Sequence, residues 1–242
     1  MAEKILIYQM GKVGSSSIEK SLKVLNIQSI HFHRLFFSNN EVKLSVKRIL
    51  SKFKTHLDIL IIQYILRKRV KIISGYRDPI ARNISAFFQH LNRNFSKKEI
   101  ESINCSELIN QFNKSNFLDT PNNWFDLELK RKFGIDIFQH NFNKDKGFTV
   151  IRTKKVDLFI YRLDKLNLLE NELGLFLNIK NFRLSEANIS SKKDYAQLYQ
   201  DFKINYFPSN SLVEKLYSSK TINYFYSLND IDFLKNKWME NV

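Results

Sequence analysis

One cysteine, three prolines and six glycines are all that this chain of 242 residues contains of the residues that staple, kink or loosen a backbone. A lone Cys105 excludes an intramolecular disulfide and any zinc site built on thiolates, and it fits a reducing compartment. No low-complexity tract, linker or internal repeat is present. Acids are also scarce: 24 Asp and Glu stand against 39 Lys and Arg, for a formal net charge of +15. Long apolar runs are missing too. The most apolar later segment, residues 57–66, contains Asp58 and Gln63 and falls well short of the about 20 residues a membrane helix needs. It is predicted to be a buried helix. The first strand is expected to start within a few residues of Met1, which leaves no room for the charged, apolar and cleavage regions of a signal peptide. A cytoplasmic protein is the expectation, with peripheral membrane contact as its closest approach to a bilayer.

What is present supports a core. Hydrophobic residues make up 43% of the chain, including 21 phenylalanines, enough for one cooperative domain over residues 1–242. The positive charge is compatible with nucleic acid, anionic lipid, polyanionic glycans or a phosphorylated cofactor. It concentrates in residues 43–71, where Lys43, Lys47, Arg48, Lys52, Lys54, Arg67, Lys68, Arg69 and Lys71 face a single acid, Asp58. That segment reads either as a solvated helix face or as a contact surface for an anionic membrane or acidic acceptor.

Apolar patterning predicts strands at residues 4–9, 29–33 and 70–76, and a pair of neighbouring strands or a hairpin at 148–152 and 156–161. After the first strand, Ile18, Leu22 and Leu25 recur at helical spacing. After the third, Asp78 is placed to cap a helix with Pro79 in its first position, and Ile80, Ile84, Phe87, Phe88 and Leu91 form the apolar face of that helix. Residues 96–132 read as helical with polar interruptions. Further helices are predicted at 166–177, with Asp164 as a cap, and at 192–202, 211–217 and 229–238. Strands alternating with helices imply an α/β layer fold, a central mainly parallel sheet flanked by helices in three layers, whose ligand crevice lies at the carboxyl ends of the strands.

The segment from Gln9 through Gly11, Lys12, Val13, Gly14, Ser15, Ser16 and Ser17 joins the first strand to the first helix. A strand, a turn of small residues and a helix start gather backbone N–H groups and a positive dipole around an anion, and Lys12 adds a full charge. In a Walker loop the lysine follows the last glycine; here Lys12 precedes Gly14 by two positions, which argues against an ordinary ATP or GTP site. Arg77 sits just past the third strand and can grip a phosphate with two parallel hydrogen bonds, and Ser85, eight residues on, can add a hydroxyl. Both motifs are expected at carboxyl ends of parallel strands, in one crevice. The pattern His31-Phe32-His33 puts two imidazoles on one face of the second strand, where either can serve as a general base. No metal-ligand cluster stands out.

In its Lys12-Val13-Gly14-Ser15-Ser16 loop the chain resembles the 5'-phosphosulfate loop of sulfotransferases, and Arg77 with Ser85 has the spacing of their 3'-phosphate motif. The segments Trp124-Phe125-Asp126, Gly134-Ile135-Asp136 and Asn236-Lys237-Trp238-Met239-Glu240 resemble bacterial capsular polysaccharide synthesis proteins. What the resemblance implies is a P-loop-like fold and transfer of a sulfuryl group from 3'-phosphoadenosine 5'-phosphosulfate (PAPS) to a carbohydrate hydroxyl of a glycan or glycolipid, without a metal. Adenosine 3',5'-bisphosphate (PAP) would be the other product. By the same resemblance Lys12 stabilises the leaving phosphate, His33 ranks above His31 as base, and Asn188, Lys192 and Lys193 complete the nucleotide site. Trp124, Phe125 and Glu128 are candidates for the acceptor side: the two rings either stack on a sugar or adenine ring or, for at least one of them, belong to the core, and Glu128 or Asp126 is a fallback base. Two other functions fit the same residues: a magnesium-dependent nucleotide or sugar kinase with Asp78 near the metal, and a basic binding module, for nucleic acid or anionic membrane, whose nucleotide site is vestigial.

Overall fold

A computed structural model describes residues 5–36, 46–60, 69–91, 95, 100, 102–185 and 195–239. In chain order the principal elements are β1 (Ile5–Tyr8), α1 (Ser15–Val24), β2 (Ser29–Phe32), α2 (Val46–Leu60), β3 (Val70–Tyr76), α3 (Pro79–Gln89) and α4 (Cys105–Asn113). A short helix, Thr120–Trp124, then leads into a π-helical turn, Phe125–Lys130. After it come β4 (Phe148–Arg152), β5 (Val156–Arg162), a 3-10 turn at Leu163–Leu168, and α5 (Glu170–Leu177). The chain closes with α6 (Ala196–Asn205), α7 (Asn210–Tyr217), α8 (Lys220–Phe225) and α9 (Leu228–Met239). These elements form two compact units, one of residues 1–76 and 124–185 and the other of residues 77–123 and 186–242.

The first unit holds the sheet, in the order β2-β1-β3-β5-β4. All neighbours are parallel except β4, which pairs antiparallel with β5 as the alternating pattern of that hairpin predicts. β1 is the switch point: the chain leaves it toward β2 on one side and returns to β3 on the other. Ligands of open α/β sheets bind outside the carboxyl ends of strands at such a point. Pleating sorts the side chains. Ile5, Ile7, Ile73, Phe159 and Tyr161 face one way and pack with Ile18 and Leu22 of α1 and Leu173 and Phe176 of α5. On the other face Tyr8 meets Phe32, Trp124 and Phe133, while Tyr76 meets Phe125. Large side chains buried this way contribute about 1.5–3 kcal/mol each relative to exposure.

Three expectations need correction. Leu25 is exposed, because α1 ends at Val24 and Leu25 is its C-cap. Leu57 is exposed on α2, and Ile59 is the buried residue there; residues 61–66 of the predicted buried helix lie outside the described residues. Asp164 lies within the 3-10 turn and is not the N-cap of α5: Arg162, itself buried, grips it with Nε at 3.1 Å and Nη2 at 2.7 Å. The α5 helix therefore starts later than predicted, after the 3-10 turn.

The second unit is helical. Phe87, Phe88 and Phe112 pack around Phe202, which also stacks on Tyr206 with ring centroids 5.2 Å apart. Asp78 caps α3 as its sequence predicts, accepting from the Ile80 N–H at 3.2 Å with Pro79 in the first turn. Among the described residues, no helix of either unit is long and apolar enough to cross a membrane.

Candidate functional site

The loop that leaves β1 has an unusual backbone. Lys12 has φ 74° and Gly14 has φ 97°, both in the left-handed region. A lysine held there costs about 1–2 kcal/mol, so the surroundings must fix it. Tyr161 supplies one anchor, its buried hydroxyl donating to the Val13 carbonyl at 2.6 Å, with the Gln9 side-chain oxygen 3.1 Å away. The ring gets there by lying across Gly75, where a Cβ would come within 2.6 Å of the Tyr161 ring carbon. Gly14 is equally constrained: a Cβ would stand 2.7 Å from Leu166 Cδ2 and 2.9 Å from Leu163 Cδ1. Gly14→Ala is therefore expected to lower stability by about 2 kcal/mol through strain and crowding together. A shift in the urea midpoint measures this, and an unchanged midpoint would show the loop to be more plastic than its packing implies.

Helix α1 begins at Ser15 with Gly14 as N-cap, no side-chain cap and no acid in its first turn. The Gly14 carbonyl accepts from the Ser17 and Ile18 amides at 3.2 and 3.5 Å. The start of a ten-residue helix thus offers its positive dipole end next to Lys12 and the hydroxyls of Ser15, Ser16 and Ser17, an arrangement that suits an anion.

Beside this loop stand the two histidines of β2 and its end, their rings edge to face with centroids 4.8 Å apart, on one side as alternation predicts. His33 Nδ1 is 2.9 Å from the Gln9 carbonyl, an acceptor only, so Nδ1 carries the proton and Nε2 is the basic nitrogen of the neutral ring. That Nε2 lies 3.7 Å from the point a Cβ on Gly11 would occupy. The Trp124 indole fixes the His33 backbone, donating to its carbonyl at 2.8 Å. His31 is held differently, its Nδ1 2.8 Å from Glu19 Oε2 of α1, and its Nε2 is buried. His33 is the exposed member of the pair, with its basic nitrogen at the loop. Gln9, Glu19 and Tyr161 are the positioning residues that the sequence did not reveal.

Two candidates for the acceptor side prove to be core. Trp124 and Phe125 are 2% and 1% exposed, which corrects the stacking alternative and agrees with the core reading. Glu128 is buried as well, and its Oε2 accepts from the Tyr8 hydroxyl at 2.6 Å, the Leu35 N–H at 2.7 Å and the Phe36 N–H at 3.4 Å. These contacts tie the chain after β2 to the π-helical turn, so Glu128 is a structural carboxylate rather than a base open to substrate. Burial pushes its carboxyl above the ordinary range, against the pull of these donors and Arg34. A raised folded value means the folded protein keeps a proton that the unfolded chain releases. Stability from this group is then greatest below the ordinary carboxylate range and declines as pH rises through the raised value. Glu128→Gln is expected to gain stability relative to the parent over that interval, read from urea midpoints between acidic and neutral pH. Parallel curves for the two proteins would contradict it.

In the second unit, Arg77 follows Tyr76 in the chain, and Ser85 lies half-buried on α3. Asp78 has both oxygens engaged: Oδ1 accepts from the Ile80 N–H and the Tyr217 hydroxyl, and Oδ2 accepts from the Trp238 indole at 2.9 Å. Burial raises its carboxyl, and these donors with Arg77 and Lys237 oppose the rise. A carboxylate committed in this way is poorly suited to hold magnesium, which weakens the kinase alternative. Burial lowers the Lys203 ammonium, and Lys237 and Arg77 lower it further, so three cations share one neighbourhood. Neither lysine was predicted, since helical positions 126 and 160 residues after Arg77 leave no signal in local spacing. Asn188, Lys192 and Lys193 lie outside the described residues.

A family model described as "Putative capsular polysaccharide synthesis protein" matches residues 97–227, more than half of the chain. The match includes Trp124-Phe125-Asp126 and Gly134-Ile135-Asp136, and ends before Asn236; the Lys12 loop, the histidine pair, Arg77 and Ser85 precede it. No curated protein and no solved structure matches.

Proposed function

The chain belongs to the capsular polysaccharide synthesis family, and on that premise we propose that it is a sulfotransferase acting on a hydroxyl of a capsular or surface glycan or glycolipid. The donor is PAPS, which supplies the sulfuryl group, and PAP is released. The observation that carries this is the uncapped start of α1 beside Lys12, at the switch point of the sheet, with the basic nitrogen of His33 set against Gly11. An anion cradle and a proton acceptor thus occur side by side. A lysine placed ahead of the last glycine is out of Walker order, which counts against a nucleoside triphosphate, and the phosphosulfate reading is what the loop's resemblance to sulfotransferases implies.

Lys12, Val13, Gly14, Ser15, Ser16 and Ser17 hold the 5'-phosphosulfate. Arg77 and Ser85 hold the 3'-phosphate by their motif spacing, with Lys203 and Lys237 adding charge near Arg77. As an acceptor oxygen bonds to sulfur, the bond from sulfur to the 5'-phosphate oxygen breaks. His33 Nε2 takes the acceptor proton while Lys12 and the first amides of α1 offset the charge growing on the leaving phosphate. His31, paired with Glu19, stands edge to face against the His33 ring.

Labelled sulfate tests this. Incubation of the protein with PAPS carrying radioactive sulfur and with capsular or surface glycan should move label into polysaccharide, with no requirement for magnesium. Magnesium-dependent turnover of ATP without any transfer of sulfate would reverse the assignment.

A further inference from the structure

Helix α2 carries an apolar stripe that no described residue covers. Leu50, Phe53 and Leu57 are 62%, 67% and 47% exposed, and their spacing of three and four places them on one side of the helix. The helix is attached elsewhere on its circumference. Ile59, two positions past Leu57 and so roughly opposite, is buried. On the flank the His56 ring meets Phe36 edge to face at 5.7 Å, and Lys132 Nζ donates to its Nδ1 at 2.9 Å. The Arg131 guanidinium lies 4.0 Å from the centroid of Phe36 and closes this anchor. Three large apolar residues therefore point away from the body of a helix already fixed by its other sides.

The charge on the same element selects what covers the stripe. Lys47, Arg48, Lys52 and Lys54 occupy the helix with one acid, Asp58. Lys47 and Lys54, seven residues apart, run alongside Leu50 and Leu57, also seven apart, so cationic positions border the apolar ones. A second copy of the helix would bring like charges together. A nucleic acid would meet the lysines but give Leu50, Phe53 and Leu57 nothing to bury against. A bilayer with anionic headgroups satisfies both, taking the apolar side chains at the acyl boundary and the ammonium groups at the phosphates.

We propose that α2 docks the protein on an anionic lipid surface, with Leu50, Phe53 and Leu57 inserted and the basic positions that border them at the headgroups. This does not depend on the donor site or on sulfuryl transfer. Cosedimentation of the full chain with vesicles of phosphatidylcholine and phosphatidylglycerol, and with phosphatidylcholine alone, tests it. The protein should partition onto the anionic vesicles and not the neutral ones, and high salt should release it. The triple variant Leu50→Ser, Phe53→Ser, Leu57→Ser and the double variant Lys47→Glu, Lys54→Glu should each lower partitioning by about tenfold or more. Their thermal melts should match the parent, because the three apolar residues are exposed and the two glutamates leave the Ile59 and His56 contacts in place. Absence of binding to anionic vesicles would overturn the proposal, as would binding that the serine variant retains. A dimer in light scattering that the serine variant converts to monomer would assign the stripe to a second copy and overturn it equally.

Discussion

Lys12→Ala is expected to slow sulfuryl transfer by about 10²- to 10³-fold, the usual cost of removing one group aimed at developing negative charge. The ground-state donor already carries charge on its 5'-phosphate, so part of the Lys12 interaction is made on binding. On the proposed reaction the larger part arises as the sulfuryl group departs and the phosphate oxygen gains charge. The variant should therefore lose more in kcat than in affinity for PAP. Lys12→Arg should rescue little. The lysine occupies a left-handed backbone position between Gly11 and a buried Val13, and a planar guanidinium presents its charge at a different reach and spread. Parallel losses in kcat and in PAP affinity would instead mark Lys12 as a phosphate ligand with no special role in the transition state.

His33→Ala should cost about 10²- to 10⁴-fold in rate while leaving PAP binding nearly intact, since the role proposed for His33 is on the acceptor side. Acidic and basic groups around the ring define the background: His31 with Glu19 lies on one side, and the Lys12 loop on the other. Glu19→Gln should reduce the rate by less than removal of His33, because it acts through His31. A His33→Ala enzyme that retains the full rate would remove His33 as the base.

The local patterns of the sequence carried much of this architecture. The fully buried run Val70–Tyr76, the alternating hairpin of β4 and β5, and the Asp78-Pro79 start of α3 are all governed by neighbours within a few positions, and all appear where predicted. The polar contacts that shape the site were not legible. Trp124 reaches the His33 carbonyl across 91 residues, and Tyr8 reaches Glu128 across 120, and neither contact leaves a periodic trace. Trp124 and Phe125 read in sequence as either a stacking platform or core, because aromatic residues serve both. Burial decides between the two uses. Leu57 erred the other way, since apolar residues are not barred from surfaces, and only the buried Ile59 beside it reveals which side of α2 faces inward.

Titration calorimetry with PAP in the absence of magnesium tests the central claim most directly. The expected result is binding that a nucleotide lacking the 3'-phosphate matches only at much higher concentration, that Lys12→Ala weakens, and that Arg77→Ala weakens mainly by erasing the preference for the 3'-phosphate. Equal affinity for adenosine 5'-phosphate and PAP, or binding that appears only for ATP with magnesium, would contradict it.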